Sequence, residues 1–416
     1  MIGLLLSALA WSPAGAGERI DLWENAQGPQ LRGANLHQRR VFPDLDGADF
    51  LGAGPFGPPV EQADLDRLAQ AGANLVVLSH SGIFGDLPPY RLDQAALANL
   101  DRLVGMAAAA DLFVVIALRS GPGRSDFAIL PDGAGEWYDP SYLNTAIWGD
   151  LEAQQAWSAM WRVVAKHFRG HRAVVGYELM VEPNSNHIGA DAADGAPELW
   201  DPAAFEAAHA GSSYDWNRLY PQILAAVREV DPDMPVLIGG NGYSGAEWLP
   251  HVAVGPDPRV VYVAHIYGPF DYTHQEPGAR IAYPGSIDLD WDGREDPFAA
   301  DALETMLAPV DEFLVRQGPP VAVTEFGAVR WAPGVAHFLA DRIAGFERRG
   351  INWAIWGWPV AWPPMGAGDN AFSLSFGADP SATGPAATGP SAEAPGLAIL
   401  LESWSRNVLR PSDRPF

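Results

Sequence analysis

From about residue 30 onward, this chain alternates short β-rich runs with longer helical patterns, and eight such runs leave few folds open. The extended runs cover 31–36, 74–79, 112–118, 173–180, 235–239, 260–265, 320–324 and 353–356. Apolar residues recur every three or four positions over 60–70, 92–110, 151–167, 217–230, 299–316, 335–348 and 397–408, which predicts helices there. After the fifth run only a short segment, 246–252, is available, so the fifth helix is expected to be abbreviated. Strands separated by helices must run parallel, because each crossover returns the chain to the same end of the sheet. Eight of them predict an α/β fold closed as a (β/α)8 TIM barrel. An open doubly wound sheet would carry a Gly-rich phosphate turn after its first strand, and Arg32-Gly33-Ala34-Asn35 is not one.

A single barrel fits the size. The 416 residues are 48% hydrophobic, enough for one large core, and residues 18–416 read as one domain. Within it, 377–395 is rich in Ala, Gly, Pro, Ser and Thr and is expected to be a flexible excursion before the last helix. A formal charge of -25 argues against nucleic acid and against anionic membranes, since both would repel such a surface. The absence of cysteine excludes disulfides, thiolate metal sites and cysteine nucleophiles. Residues 1–17 combine an apolar run with a small-residue stretch, Ser12-Pro13-Ala14-Gly15-Ala16-Gly17, although no basic residue precedes them. They read as a signal peptide, which places the protein in the periplasm or outside the cell. The apolar run is too short to span a bilayer.

A barrel of this kind places its chemistry on the loops after the strands, and those following strands three, four and six are long here. Two glutamates fall at strand ends. Glu182 closes Tyr177-Glu178-Leu179-Met180-Val181-Glu182-Pro183-Asn184, and Glu325 closes Val321-Ala322-Val323-Thr324-Glu325-Phe326-Gly327. Either one alone is as readily a solvated or ion-paired strand end. At strand ends four and seven they face one cleft, as cleavage of a glycosidic bond with retention requires: one acid to protonate the leaving oxygen, one carboxylate to attack the anomeric carbon. Repulsion between them would raise the pKa of whichever serves as the acid. Glu178 shares parity with Glu182 and is expected inside the barrel, paired with an arginine such as Arg32.

These two motifs resemble those of glycoside hydrolase family 5, the cellulase family, within the clan of four/seven barrel hydrolases. The resemblance runs from Arg32-Gly33-Ala34-Asn35 through Trp356. It implies that Glu182 is the acid/base and Glu325 the nucleophile of a retaining glycosidase. His265 and Tyr267, in Val263-Ala264-His265-Ile266-Tyr267, resemble the family's strand-six motif, where the tyrosine bonds the nucleophile and the histidine lines the sugar site. Trp356 falls where the family floors the catalytic sugar subsite. Trp358 and Trp362 extend that floor or simply pack. Asn35 and His37 border the site or pack at the rim.

Three positions depart from the family pattern. Val181 stands where an asparagine bonds the sugar 2-hydroxyl, Val77 stands for the strand-two arginine, and Arg119 stands for the strand-three histidine. Losing the 2-hydroxyl bond should slow a standard glucanase. Arg119 takes over part of the missing cation's role, reads an acidic or substituted sugar, or forms an ion pair with Glu178 or Asp126. The Pro-Gly after it resembles the exo-β-1,3-glucanase branch. The expectation is therefore a monomeric endo-β-glucanase-like hydrolase acting on a β-linked polysaccharide or oligosaccharide, without cofactor or metal. Exo-β-1,3-glucanase-like and mannanase-like specificities remain open, as does a glycan-binding barrel whose site has decayed. A metal-dependent hydrolase finds no support in scattered histidines that lack His-x-His or His-Glu-x-x-His spacing.

Overall fold

The β-branched runs form a closed ring of eight parallel strands in the computed structural model, which describes residues 18–24, 28–188, 198–362, 370–382 and 394–414. The strands are β1 Arg32–Arg40, β2 Leu75–His80, β3 Phe113–Leu118, β4 Val174–Glu178, β5 Val236–Gly239, β6 Val260–Ile266, β7 Val321–Phe326 and β8 Asn352–Ile355. Each pairs with its sequence neighbour, and β8 closes on β1 through Arg32–Trp353 and Ala34–Ile355 register. The expected barrel is what forms.

Period-two alternation sorts the strand residues between two cores. Leu75, Val77, Phe113, Val115, Ala117, Val175, Leu237, Val261, Val263, Ala322 and Ala354 fill the barrel interior. Val76, Leu78, Val114, Ile116, Val236, Ile238 and Val323 face the helices. The short turn Arg19–Leu22 and Trp23 join the inner cluster at the N-terminal ends of the strands, where the Trp23 indole N–H donates to the Val175 carbonyl at 3.0 Å.

The principal outer helices are α1 Gln62–Gln70, α2 Gln94–Ala109, α3 Leu151–Phe168, α4 Trp216–Arg228, α5 Ala308–Gln317, α6 Val335–Arg348 and α7 Pro395–Trp404. Helix α3 shows why they form. Asp150 caps it by accepting from the Glu152 N–H, and Ala153, Trp157, Met160, Trp161, Val164 and Phe168 present one buried stripe. After β5 there is a six-residue 3-10 helix, Ala246–His251, as its abbreviated pattern implied. The pattern over 299–316 divides into Ala300–Thr305 and α5, which begins beside Pro309. Among the described residues no helix is long and apolar enough to cross a membrane. The expected signal peptide and the stretch 383–393 of the low-complexity segment lie outside the described residues.

Two strand ends differ from the periodic reading, and both bear on the site. β4 stops at Glu178, so Glu182 sits on a bend with φ of 54° rather than on the strand itself. β7 is irregular against β6: Val323 pairs with Ala264, yet Glu325 pairs with the next residue, His265. An extra residue in one strand re-aims the side chains beside it.

Candidate active site

The β7 irregularity puts two consecutive side chains on one histidine. Thr324 Oγ1 lies 3.1 Å from His265 Nε2, and Glu325 Oε2 lies 3.7 Å from His265 Nδ1. A regular strand would send those two side chains to opposite faces. Glu182 reaches the same imidazole from β4, with Oε1 at 3.0 Å from Nδ1. Its left-handed backbone conformation is unfavourable for a residue with a Cβ and needs support from its surroundings. Arg124 supplies it from the β3 loop by donating to the carbonyls of Glu182 at 2.7 Å and Val181 at 2.8 Å. Oxygens of Glu182 and Glu325 and a nitrogen of His265 all lie within 4.8 Å of one another.

Arg119 occupies the space between the carboxylates. Its Nη2 donates to Glu325 Oε1 at 2.5 Å, its Nη1 is 3.8 Å from Glu182 Oε2, and its Nε donates to Ser79 Oγ. The guanidinium carbon lies 4.6 Å from the Trp356 ring centre, a cation–π distance. Neither Glu178 nor Asp126, the two ion-pair partners weighed from sequence, is what it bonds. Tyr267 donates to the other oxygen of Glu325 at 3.0 Å. His37 packs against Trp356, ring centres 5.4 Å apart.

Burial pushes the Glu325 carboxyl up, with repulsion from Glu182 and Glu178 in the same direction and Arg119 and His265 opposing. Burial acts likewise on Glu182, but the His265 hydrogen bond and charge, with the charges of Arg119 and Arg124, outweigh it and hold that carboxyl below its ordinary value. Burial disfavours charge on His265 too, yet Glu325, Glu178 and Glu182 together raise it to about 10. Tyr267 is pushed well above its ordinary range by burial and by Glu325, so it stays a donor. Burial and Arg119 keep His37 neutral.

Glu182, Glu325, His265, Tyr267, Arg119 and Trp356 therefore converge. Asn35 sits among them as a brace: it is buried, and its amide donates to the carbonyls of Thr324 at 2.7 Å and Ile355 at 3.3 Å. Trp358 does not join the floor. Its indole N–H donates to the Asp64 carbonyl and its ring meets Trp404 edge-on, so it ties β8 to α1 and α7. Trp362 likewise bonds the Phe50 carbonyl. Glu178 is inside the barrel, as its parity requires, but not beside Arg32. Arg32 turns outward to Glu347 of α6 at 2.7 Å, whereas Glu178 lies 3.6 Å from His265. Val77 lies one layer below the rim, and Ser79 is the β2 residue that meets Arg119. Val181 packs with the inner apolar cluster. Sequence reasoning missed Ser79, Thr324 and Arg124, and nothing in their local sequence singles them out.

Among the described residues two groups could approach a cation, Glu182 with His265 and Glu325, and Asp288 with Asp290 and Asp296 on the loop after β6. In the first, Arg119 already places a fixed positive charge between the carboxylates, so a metal would compete with a guanidinium for the same oxygens. The second is a partly exposed acidic cluster, and acidic groups near the surface are common without a metal.

A family model described as cellulase, glycosyl hydrolase family 5, matches residues 24–361. Endoglucanase C of Acetivibrio thermocellus is 22% identical over 326 residues, 71% of this chain and 83% of that protein. Endoglucanase Cel5A of Thermotoga maritima superposes with a TM-score of 0.57 at 18% identity, over 89% of this chain and 97% of that one. The cellulose synthase subunit Z of Clostridioides difficile gives 0.58 at 16% identity, over 89% and 99%. With the family matched across most of its length, this chain belongs to glycosyl hydrolase family 5 and is a glycoside hydrolase.

Proposed function

We propose that this protein hydrolyses a β-linked glucan by double displacement, with Glu325 as nucleophile and Glu182 as acid/base. The observation that carries the reading is the closeness of the two carboxyl groups, whose oxygens come within 4.8 Å. Retaining glycosidases hold theirs about 5–5.5 Å apart, whereas inverting enzymes need about 6.5–9.5 Å to admit a water.

In the first step a Glu325 oxygen attacks the anomeric carbon while Glu182 gives its proton to the departing glycosidic oxygen. In the second, Glu182 takes a proton from water as the water oxygen displaces Glu325 from the sugar. The donors around each group bear on this division. Glu325 accepts one hydrogen bond on each oxygen, from Arg119 and Tyr267, and the Arg119 charge opposes the burial that pushes its carboxyl up, toward the ionised form a nucleophile needs. Glu182 Oε1 faces His265, while its Oε2 is 3.8 Å from Arg119, outside hydrogen-bond distance and free to carry the proton. Trp356 offers an aromatic face for the apolar side of a pyranose ring. The choice of glucan rests on the relatives named endoglucanases.

The test compares wild type and Glu325→Gln on β-glucans, mannans and substituted oligosaccharides, following the first-formed anomer by NMR. The expected result is a β-anomeric product from glucan and a loss of roughly four orders of magnitude in the variant, about 5–6 kcal/mol. Activity that survives the substitution would remove Glu325 from its role, and an α-anomer formed first would remove double displacement.

A further inference from the structure

Beneath the His265 imidazole lies a carboxyl group that the displacement steps do not use. Glu178 is 1% exposed, and neither of its oxygens has a hydrogen-bond partner among the described residues. Its Oε1 is 3.6 Å from His265 Nε2, while Nδ1 on the other side of the same ring faces Glu182 at 3.0 Å. A buried carboxylate without hydrogen bonds persists as an ion only against a nearby positive charge. The neighbouring elements allow a charge inventory. β4 and its bend bring Glu178 and Glu182, β7 brings Thr324 and Glu325, β3 leads to Arg119, and β6 carries His265 with Tyr267 just beyond its end. From the β5 side, Ser244 offers its carbonyl to the His265 backbone N–H. Three carboxyl groups thus face the Arg119 guanidinium and one imidazole, with the Arg124 guanidinium bonded to the Glu182 carbonyl close behind. With Glu178, Glu182 and Glu325 at 3.6, 3.0 and 3.7 Å from its ring nitrogens, the imidazole is in a setting that favours its charged form.

We propose that Glu178 is a positioning residue for proton donation: from inside the barrel it holds His265 as an imidazolium whose Nδ1–H is directed at Glu182. This rests on the reading of Glu182 as the acid. The imidazolium then stabilises the carboxylate that Glu182 becomes once its proton has moved to the leaving oxygen. The raised pKa of His265, which Glu325, Glu178 and Glu182 bring about against the opposing effect of burial, agrees with the geometry.

Two measurements test it. In protein labelled with ¹⁵N-histidine, the ring nitrogens of His265, identified by their loss in His265→Gln, should read as imidazolium from pH 5 to 9. Glu178→Gln should bring their titration into that window, and Glu178→Asp, which keeps the charge, should restore the imidazolium. A neutral His265 at pH 7 in the wild type overturns the proposal whether or not any variant folds, and so does a Glu178→Gln protein with an unchanged imidazolium. The second measurement is a leaving-group comparison. Glu178→Gln should slow cello-oligosaccharide hydrolysis by roughly 10-fold or more, yet 2,4-dinitrophenyl cellobioside by less than about 3-fold, because an activated phenolate leaves without a proton. Equal losses on both substrates overturn the link to proton donation. A wild type that hydrolyses neither substrate defeats the glycosidase reading instead, and the NMR result tells the two failures apart.

Discussion

Arg119→Met would remove the guanidinium that spans the two glutamates while keeping most of the side chain's bulk. The group it removes is 5% exposed and lies 2.5 Å from Glu325, itself 4% exposed, so water does not screen the interaction. Deleting one partner of a buried ion pair costs about 3–5 kcal/mol, because the other charge is left unpaired. For 416 residues, an unfolding entropy of about 2.1 cal/mol/K per residue amounts to about 0.9 kcal/mol/K, so Tm should fall by about 3–6 °C. Part of the loss is relieved by proton uptake. Arg119 pulls the Glu325 pKa down, so its removal must raise that pKa, and the nucleophile then ionises only at higher pH. If about 2 kcal/mol of the interaction appears this way, the acid limb of kcat/KM moves up by about 1.5 pH units. Arg119→Lys keeps the charge but loses the planar fork and the contact with Trp356 at 4.6 Å, and should fall between wild type and Arg119→Met. The assay is kcat/KM on a soluble β-glucan from pH 4 to 9, with thermal unfolding of the same proteins. An acid limb that stays in place or moves down, together with an unchanged Tm, refutes the view that Arg119 holds the nucleophile ionised.

Three further outcomes follow from other parts of the molecule. His80 is fully buried, with Nδ1 against the Ser81 carbonyl and Nε2 at 2.9 Å from the Asn99 amide, and burial lowers its pKa from 6.5 to about 4. Because its folded pKa lies below the unfolded one, its contribution is complete above pH 6.5 and falls away as pH drops toward 4, by about 3 kcal/mol in all. Denaturant unfolding across that range checks this, and His80→Gln should flatten the slope by that amount. Arg32→Ala breaks a two-point bond to Glu347 at the N-terminal end of the barrel, at 2.7 and 2.8 Å, and should lower stability by about 3 kcal/mol while leaving kcat/KM within about 2-fold. Trp358→Phe should lower Tm through the lost bond to Asp64 but leave KM unchanged, and a raised KM would return Trp358 to the sugar site.

Much of the site was legible because its landmarks are local. Glu182 and Glu325 each end a β-rich run, and runs of this kind are recognised from period and residue type alone. His265 and Tyr267 are two residues apart and needed only strand parity to share a face. Parity misled where the backbone departs from regular strand. It predicted that Glu178 and Glu182 share a strand, but β4 ends between them and Glu182 is turned by its bend. It gives no reason for Thr324 and Glu325 to meet one histidine, which the β7 irregularity brings about. The pairing of Glu178 with Arg32 failed for a related reason: parity separates inside from outside within one strand, but which side chain stands opposite depends on the whole ring of strands.

The sequence by itself determined the eight-fold alternation, the closed parallel barrel and the two strand-end carboxylates, since these rest on periodicity and on residue types within a few positions of each other. Only the tertiary structure decided that Arg119 lies between glutamates 63 and 206 positions away along the chain, that Ser79 and not Val77 meets it, and that Trp358 belongs to the helical layer. Those contacts depend on how the ends of separate strands are staggered when the sheet closes. That stagger is set by packing around the whole barrel, and no short stretch of chain contains it.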